Sequence, residues 1–334
     1  MKPHIALICG GKSAEHEISC LSALGIFEAI DRERYRVSLF GITDSGEGFV
    51  ELTSRDQFDR DENGIPIVPK NGVKGTLPEE IDLLFPVLHG SNGEDGVFQG
   101  FAEFMQINYL GSGVLSSALA MDKTRAKQIF ASAGLRVATG VSVASAVEAD
   151  SLSLTLPVFV KPSRGGSSRG TQKVKEKGAL QAAINEALKF DSTVLIEEAI
   201  NGRELECAVL QEGGKFLTSV VGEIRVLGGR EFYDYEAKYL DSATEYLVPA
   251  PIPDEIAKEI REQSVIAFQA IGCEGLARVD FFLTDEGQIV INELNTMPGF
   301  TPKSVFPMLW RESGRNYRDV ITTLIEEALQ NPKV

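Results

Sequence analysis

The chain reads RVDFF at residues 278–282 and NELNTMPGF at residues 292–300. Both segments alternate polar and apolar residues, which is the pattern of a half-buried β-strand. If the two strands pair as a hairpin, Asp280, Glu293 and Asn295 converge. Oxygen donors of this kind suit Mg²⁺, and a buried carboxylate is costly without a neighbouring cation. The alternative is a metal-free hairpin held by a salt bridge between Arg278 and Glu293.

Composition limits the classes of protein to which the chain can belong. With 334 residues, 43% hydrophobic and 24% charged, it predicts a soluble globular protein of two or three domains. The net charge of −15 argues against nucleic acid or an anionic membrane as the main partner. The four cysteines have no paired spacing, and no apolar run is long enough to span a bilayer. These features predict a cytoplasmic protein with reduced thiols.

The first part of the chain predicts a doubly wound α/β domain over residues 1–121. An apolar strand at 5–9, a helix at about 14–30 and a second strand at 35–40 form a βαβ start. Loops and short strands are expected from 43 to 78. The sheet resumes at 81–88, and a helix follows at about 97–105.

Two further domains are predicted, a central α+β unit at 122–214 and a C-terminal unit at 215–334. The central unit has expected helices at 122–133 and 178–189 and expected strands at 156–161, 194–197 and 205–211. The C-terminal unit has expected strands near 217–224, 275–283 and 288–294 and expected helices at 254–271 and 317–330. Residues 222–247 show no clear period. A long irregular stretch inside a compact domain is typical of a lid or a disordered loop.

A loop rich in glycine and serine, SRGGSSRG at 163–170, follows the strand that ends in Lys161. Glycine lets backbone N–H groups approach an anion, and the serines add hydroxyl donors. Alone, the loop could equally be a mobile surface turn. Together with the predicted metal hairpin, it indicates a site for a magnesium nucleotide.

The N-terminal Gly-Gly turn matches neither standard nucleotide fingerprint. A P-loop ending in Gly11-Lys12-Ser13 needs a glycine where the chain has Ala6, and no G-x-G-x-x-G follows the strand. Glu15 and Glu17 lie at the start of the following helix. They predict either a site for a ligand ammonium group or a simple complement to the helix dipole.

A third cluster, HGSNGEDG at 89–96, follows a predicted strand at the sheet edge where α/β proteins bind ligands. His89 is one of only three histidines in the chain. It is therefore a candidate functional residue, with an exposed histidine in a glycine-rich turn as the alternative.

Taken together, these motifs resemble those of the D-alanine–D-alanine ligase family of the ATP-grasp superfamily. They are Gly10-Gly11 with Ser13-Ala14-Glu15, His89-Gly90 with Gly93-Glu94-Asp95-Gly96, Met121-Asp122-Lys123, Lys161-Pro162 with Gly166-Ser167-Ser168, and residues 233–239, 278–282 and 292–299. The resemblance covers almost the whole chain. It implies an ATP-grasp fold, α/β and α+β, with an N-terminal doubly wound (preATP-grasp) α/β domain and with ATP between the last two domains.

The resemblance also implies a role for each site residue. ATP phosphates are expected at Lys123, Lys161, Ser168 and Lys238, and the adenine and ribose at Glu197, Glu198 and Glu204. Two Mg²⁺ ions, for which Mn²⁺ can substitute, are expected at Asp280, Glu293 and Asn295. The first D-alanine is expected at Glu15, which forms a triad with Ser167 and Tyr239; the oxyanion is expected at Arg278 and Gly299, and the second D-alanine at Ser304 and Val305. His89 is a candidate substrate-binding residue and base, whereas Arg169 and Glu198 depart from the family pattern.

The implied activity joins two D-alanines through a D-alanyl phosphate, with release of ADP and phosphate, for peptidoglycan precursor synthesis. A homodimer is implied by the resemblance alone. The rival activities are D-alanine–D-lactate ligation, another ATP-grasp ligation of a carboxylate to an amine, and a nucleotide-binding scaffold without catalysis. Tyr239 favours the dipeptide product, and the complete set Asp280, Glu293, Asn295 and Arg278 argues against a scaffold.

Overall fold

The computed structural model describes residues 2–72, 74–78, 80–146, 152–227 and 244–334. The N-terminal domain contains a sheet of order β6-β3-β2-β1-β7. Its strands are β1 (His4–Gly10), β2 (Arg36–Ile42), β3 (Phe49–Leu52), β6 (Lys74–Gly75) and β7 (Leu83–Pro86), and β4 (Asp59–Arg60) pairs with β5 (Pro66–Ile67) apart from it. β1 is buried along its whole length and is parallel to both neighbours, so the predicted βαβ start is confirmed.

The described residues of this domain form three helices. α1 (His16–Ala29) crosses from β1 to β2, and α2 (Val97–Phe104) follows the loop after β7. α3 (Val114–Met121) was not predicted, because its sequence VLSSALAM has small or apolar residues on every side and shows no clear helical period.

The central unit is a four-stranded antiparallel sheet of order β10-β9-β11-β8. Its strands are β8 (Gly140–Val143), β9 (Val158–Pro162), β10 (Gln172–Val174) and β11 (Val194–Glu198), and α5 (Leu180–Ala187) packs on it. α4 (Lys123–Ser132) leads into this unit, but its apolar side chains Ala126 and Phe130 pack in the core of the C-terminal unit.

The C-terminal unit is a five-stranded antiparallel sheet of order β14-β13-β12-β15-β16. Its strands are β12 (Gly202–Glu212), β13 (Lys215–Val226), β14 (Thr244–Leu247), β15 (Leu276–Thr284) and β16 (Ile289–Asn295). Its helices are α6 (Asp254–Ile271), α7 (Val305–Glu312) and α8 (Tyr317–Gln330). The predicted hairpin of residues 278–282 and 292–295 is therefore the β15–β16 pair.

Two expectations need correction. The strand predicted at 205–211 in the central unit is β12, which pairs with β13 and β15 of the C-terminal sheet. A domain boundary after residue 214 would cut that sheet, and we propose the loop between β11 and β12 instead. Residues 222–247 are not irregular throughout, because β13 continues to Val226 and β14 begins at Thr244.

The hydrophobic core joins the N-terminal domain to the C-terminal unit. Phe85 of β7 lies edge-on to Phe300, with ring centroids 6.4 Å apart, and both belong to one buried cluster with Trp310. The central sheet has a separate buried cluster. In the described part of the chain, every helix is too short or too polar to span a bilayer.

Candidate active site

One cleft of about 670 Å³ lies where the three units meet. It is lined by every predicted site residue that the structure describes: Glu15, His89, Lys123, Lys161, Ser167, Ser168, Glu197, Glu198, Glu204, Arg278, Asp280, Glu293, Asn295, Gly299, Ser304 and Val305. Tyr239 and Lys238 lie outside the described residues. The volume is in the range of small-molecule sites.

The β15–β16 hairpin brings the predicted metal ligands onto one face. Asp280 lies directly opposite Glu293, and Arg278 lies opposite Asn295. The register shifts next to Asp280, where β16 has one extra residue. Asn295 Nδ2 donates to Asp280 Oδ2 at 3.0 Å, so these side chains are in contact.

Arg278 pairs with Asp280 and Glu206, whereas the metal-free alternative predicted a salt bridge with Glu293. It donates to both oxygens of Asp280 at 2.8 and 2.7 Å, and its Nε lies 3.0 Å from Glu206 Oε2. Burial acts against the charged guanidinium, but Asp280 and Glu206 outweigh it and raise the pKa of Arg278. Arg278 is thus a fixed positive charge in the cleft.

The negative charge of this face suits a divalent cation, but among the described residues no group of three Asp, Glu, His or Cys side chains is placed to hold one without further oxygen ligands. Glu204, Glu206, Asp280 and Glu293 face two cations, Arg278 and Lys123, so the face carries a net charge of two negative. Carboxylate and amide oxygens are hard ligands that suit Mg²⁺. A cation there would be held by Asp280, Glu293 and the amide oxygen of Asn295.

Lys123 connects the hairpin to the glycine- and serine-rich loop. Its Nζ lies 3.2 Å from Glu293 Oε2 and donates to the carbonyl oxygen of Gly165 at 2.8 Å. Asp122 caps the helix that Lys123 begins, and Ser163 donates to the same carboxylate at 2.7 Å. The cap therefore fixes Lys123 between the loop and the predicted metal ligands, where its ammonium group can contact a bound anion.

The loop at 163–170 has a backbone shape that suits an anion. Ser167 and Ser168 have φ values of +52° and +56°, in the left-handed region that costs most residues about 1–2 kcal/mol. Successive N–H groups in such turns point into a common concavity. The Ser167 hydroxyl also donates to Glu15 Oε1, which ties the loop to the N-terminal domain.

Glu15 immediately precedes α1, and its side chain is buried, with only 8% exposure. Its backbone N–H donates to Ser13 Oγ at 3.1 Å, and Ser13 Oγ donates to the carbonyl oxygen of His89 at 2.7 Å. A buried carboxylate in this position is matched to an ammonium group.

His89 is buried, with 4% exposure, so the alternative of an exposed turn histidine is wrong. Its Nδ1 lies 3.0 Å from the carbonyl oxygen of Met297, which can only accept, so Nδ1 carries the proton. Burial lowers the pKa of His89, and Nε2 then accepts from Ser22 Oγ at 3.1 Å. Ser22 Oγ in turn accepts from the N–H of Phe300 at 3.3 Å.

Glu94, like His89, binds the loop that follows β16. Its two carboxylate oxygens accept from the N–H groups of Gly90 at 2.6 Å and of Met297 at 3.1 Å. Burial, with the charge of Glu15, raises the pKa of Glu94 to about 8. His89 and Glu94 together fix residues 297–300, which include Gly299.

The far end of the cleft is the N-terminus of α7. Ser304 precedes the helix, and its Oγ accepts from the N–H of Thr301 at 3.1 Å. A Cβ on Gly299 would lie 3.2 Å from Ser304 Oγ, which shows how closely the two residues approach. The first N–H groups of a helix bind carboxylates well, and Val305 is the first residue of this one.

Lys127 was given no role in the sequence analysis, but the structure places it in contact with the predicted site residue Glu197. Its Nζ lies 2.9 Å from Glu197 Oε2, and Lys161 Nζ lies 2.5 Å from Glu197 Oε1. Burial acts to raise the pKa of Glu197, but the two lysines outweigh it and lower that pKa to about 2. The i, i+4 spacing of Lys123 and Lys127 on α4 was the available signal, since it places both on one helix face. Glu198 instead accepts from the N–H of Thr139 at 2.8 Å.

Comparisons with known proteins match nearly the whole chain. The family models described as "D-ala D-ala ligase N-terminus" and "D-ala D-ala ligase C-terminus" match residues 4–112 and 132–326. The D-alanine–D-alanine ligase of Paenarthrobacter aurescens is 43% identical, with 98% of this chain and 95% of that protein covered. The ligase of Mycobacterium leprae is also 43% identical, with 97% of this chain and 93% of that protein covered.

Solved structures agree with this result. The VanG D-Ala:D-Ser ligase of Enterococcus faecalis superposes with a TM-score of 0.84 at 36% identity, covering 98% of this chain and all of the other. The D-alanine–D-alanine ligase of Coxiella burnetii gives a TM-score of 0.80 at 29% identity, over 98% of this chain and 94% of the other. The fold is therefore the ATP-grasp fold with its N-terminal α/β domain, and the chain belongs to the D-alanine–D-alanine ligase family.

Proposed function

We propose that this protein is an ADP-forming ligase that joins two D-alanines to D-alanyl-D-alanine, for peptidoglycan precursor synthesis. One observation carries the proposal. A single cleft holds a pair of hairpin carboxylates, a phosphate-type loop and a buried carboxylate for an ammonium group, linked by the contacts Lys123–Glu293 and Ser167–Glu15.

In the first step, the carboxylate of the first D-alanine attacks the γ-phosphorus of ATP. A P–O bond to the new acyl phosphate forms, and the bond to the leaving ADP breaks. Such a transfer needs positioning and charge compensation more than covalent help. We assign the ammonium group to Glu15 and the phosphates to Lys123, Lys161 and the amides around Ser168.

In the second step, the amine of the second D-alanine attacks the acyl carbon and forms a C–N bond. The bond from that carbon to the phosphate oxygen breaks, and the nitrogen gives its proton to the departing phosphate. The tetrahedral intermediate has a negative oxygen, which needs preorganised donors. We assign this task to the Arg278 guanidinium and the N–H of Gly299. Ser304 and the N–H of Val305 would receive the carboxylate of the second D-alanine, because they form the start of α7.

Metal ions would neutralise charge on the transferred phosphoryl group and would be held by Asp280, Glu293 and Asn295. We propose two Mg²⁺ ions, which these three residues would hold, and Mn²⁺ as a substitute that takes the same oxygen ligands. We also propose a cytoplasmic location, in agreement with the four buried free thiols.

We propose a homodimer as the working form of the protein. What supports it is a set of exposed apolar side chains on two helices that contact each other, namely Val97, Phe104 and Met105 at α2 and Leu115 on α3. Their exposed fractions are 57%, 86%, 49% and 70%. Neighbouring exposed apolar side chains of this size commonly mark contacts between proteins.

The activity is tested with purified protein, Mg-ATP and D-alanine. ADP and phosphate should appear in equal amounts with D-alanyl-D-alanine. D-Serine and D-lactate, each offered with D-alanine, test the identity of the second substrate, because a D-Ala:D-Ser ligase is among the similar structures. ADP release that needs no amino acid, or that is faster with L-alanine, would contradict the proposal.

A further inference from the structure

A buried group of charges lies beneath the nucleotide end of the cleft. It consists of Lys127, Lys161 and Glu197, which we call the lysine–glutamate triad. The three residues are 7%, 9% and 4% exposed. Glu197 is bound through one oxygen to each lysine, at 2.5 Å to Lys161 and 2.9 Å to Lys127. Lys161 and Glu197 line the cleft, and Lys127 lies behind them.

Lys127 differs from Lys161 in the quality of its contact with Glu197. Its Nζ is at ion-pair distance, but within the described residues neither that nitrogen nor Glu197 Oε2 has a hydrogen-bond partner of good geometry. An ammonium has three donors, and a buried one without hydrogen bonds is costly. The contribution of Lys127 is therefore mainly its charge rather than a directional bond.

The second lysine changes the net charge of the triad. Glu197 and Lys161 alone would form a neutral pair, and a neutral pair attracts a phosphate weakly. With Lys127 present, the carboxylate is shared by two ammonium groups, and the triad keeps one net positive charge. Burial weakens solvent screening, so this charge acts on a ligand in the adjoining cleft.

We propose that Lys127 is a positioning residue for the nucleotide site, because its share of Glu197 leaves Lys161 with positive charge to offer to the phosphates. This inference rests on the proposed use of ATP. It differs from a structural role for Lys127, which would alter the stability of the fold or the whole nucleotide pocket. Both carboxylate oxygens of Glu197 pair with lysines rather than with an adenine, so the electrostatic role concerns only the anionic part of the ligand.

The test measures binding of ADP with Mg²⁺, and of adenosine, to the full-length protein by calorimetry. Lys127→Met and Lys127→Gln should each weaken ADP binding about tenfold, which corresponds to about 1.4 kcal/mol. Adenosine carries no phosphate, so its affinity should stay within about twofold of the wild type. Lys127→Arg keeps the charge and should bind ADP nearly as well as the wild type does.

Lys258→Met provides a matched control, because it removes a lysine charge from a surface pair with Glu262 on α6. Its ADP affinity should equal that of the wild type. Unchanged ADP affinity in the Met and Gln variants of Lys127 would overturn the inference, as would an equal loss of ADP and adenosine binding. If Lys127→Met does not fold, Lys127→Gln, which keeps a polar side chain, decides the matter. A wild type that does not bind ADP would contradict the proposed function itself.

Discussion

Individual residues in the cleft are fixed by pairs of hydrogen bonds, and His89 shows what this means for the chemistry. A general base needs a free lone pair within reach of the proton it removes. The Nδ1 of His89 donates to Met297, and its Nε2 accepts from Ser22, so both nitrogens are occupied. We therefore interpret His89 as a positioning residue for the loop that carries Gly299, and not as the base.

This interpretation predicts the behaviour of two variants. The amide of Asn can replace the Nδ1 donor, so His89→Asn should lower kcat about tenfold, and His89→Ala, which has no donor, should lower it further. The decline of kcat/KM at low pH should keep its midpoint in His89→Asn, because another group provides the proton acceptor. Initial rates from pH 5 to 9 measure both effects.

His4 supplies the control for this prediction. It is equally buried and binds Ser38 and the carbonyl oxygen of Glu80, but it lies in β1 away from the cleft. His4→Asn should change the melting temperature without changing kcat at temperatures where the protein is folded. Loss of the low-pH decline in His89→Asn alone would restore His89 as the base.

At the scale of elements, the β15–β16 hairpin places the metal ligands. Its register puts Asp280 opposite Glu293 on the cleft face, while the intervening apolar residues are buried on the other face. Glu293→Gln keeps the shape of the side chain and removes its charge. Because Glu293 is proposed as a charged metal ligand, kcat should fall roughly 100-fold or more.

The fold should survive this change, because the Glu293 side chain is partly exposed and the substitution keeps its size and its polar end. Melting curves and kcat are measured together. Glu286→Gln is the matched control, since the same substitution is made in the exposed turn of the same hairpin. Near-normal activity of Glu293→Gln would mean that the metal ions bind elsewhere.

Elements were predictable from the sequence where a long apolar period was present. The bounds of α6 and α8 are those expected, because 18 and 14 residues give several turns of amphipathic pattern. β8 and β14 were missed because four residues give too little pattern. α3 was missed because small residues interrupt its apolar period, and α7 because a proline lies in its first turn. The sheet to which β12 belongs was predicted wrongly, because neighbours in sequence need not be neighbours in a sheet.

The candidate site was predictable to a similar degree, for a related reason. Residues in glycine-rich or strand-end motifs, such as Glu15, Ser167 and Asp280, stand out from their surroundings in the sequence. Lys127 does not, because a lysine on a helix is usually exposed. Its burial depends on Glu197, which is 70 positions later in the chain.

At the scale of the molecule, the cleft joins two parts with different cores. The N-terminal domain and the C-terminal sheet share buried residues such as Phe85 and Phe300, whereas the central sheet has its own cluster. Contacts such as Ser167–Glu15 and Lys123–Gly165 cross the cleft instead. A ligand can replace polar contacts of this kind with contacts of its own, so ligand binding can change how the two parts are held together.

The proposed homodimer is also a property of the whole molecule. Phe104 is 86% exposed and lies on the same face of α2 as Val97, because seven residues make nearly two helical turns. If a second copy covers this surface, Phe104→Glu buries a charge at the interface and should shift the protein to a monomer of 36.3 kDa in sedimentation velocity. Val141→Glu, a change at an exposed apolar residue of the central sheet, should leave the dimer intact. A wild type that sediments as a monomer at micromolar concentration would refute the dimer.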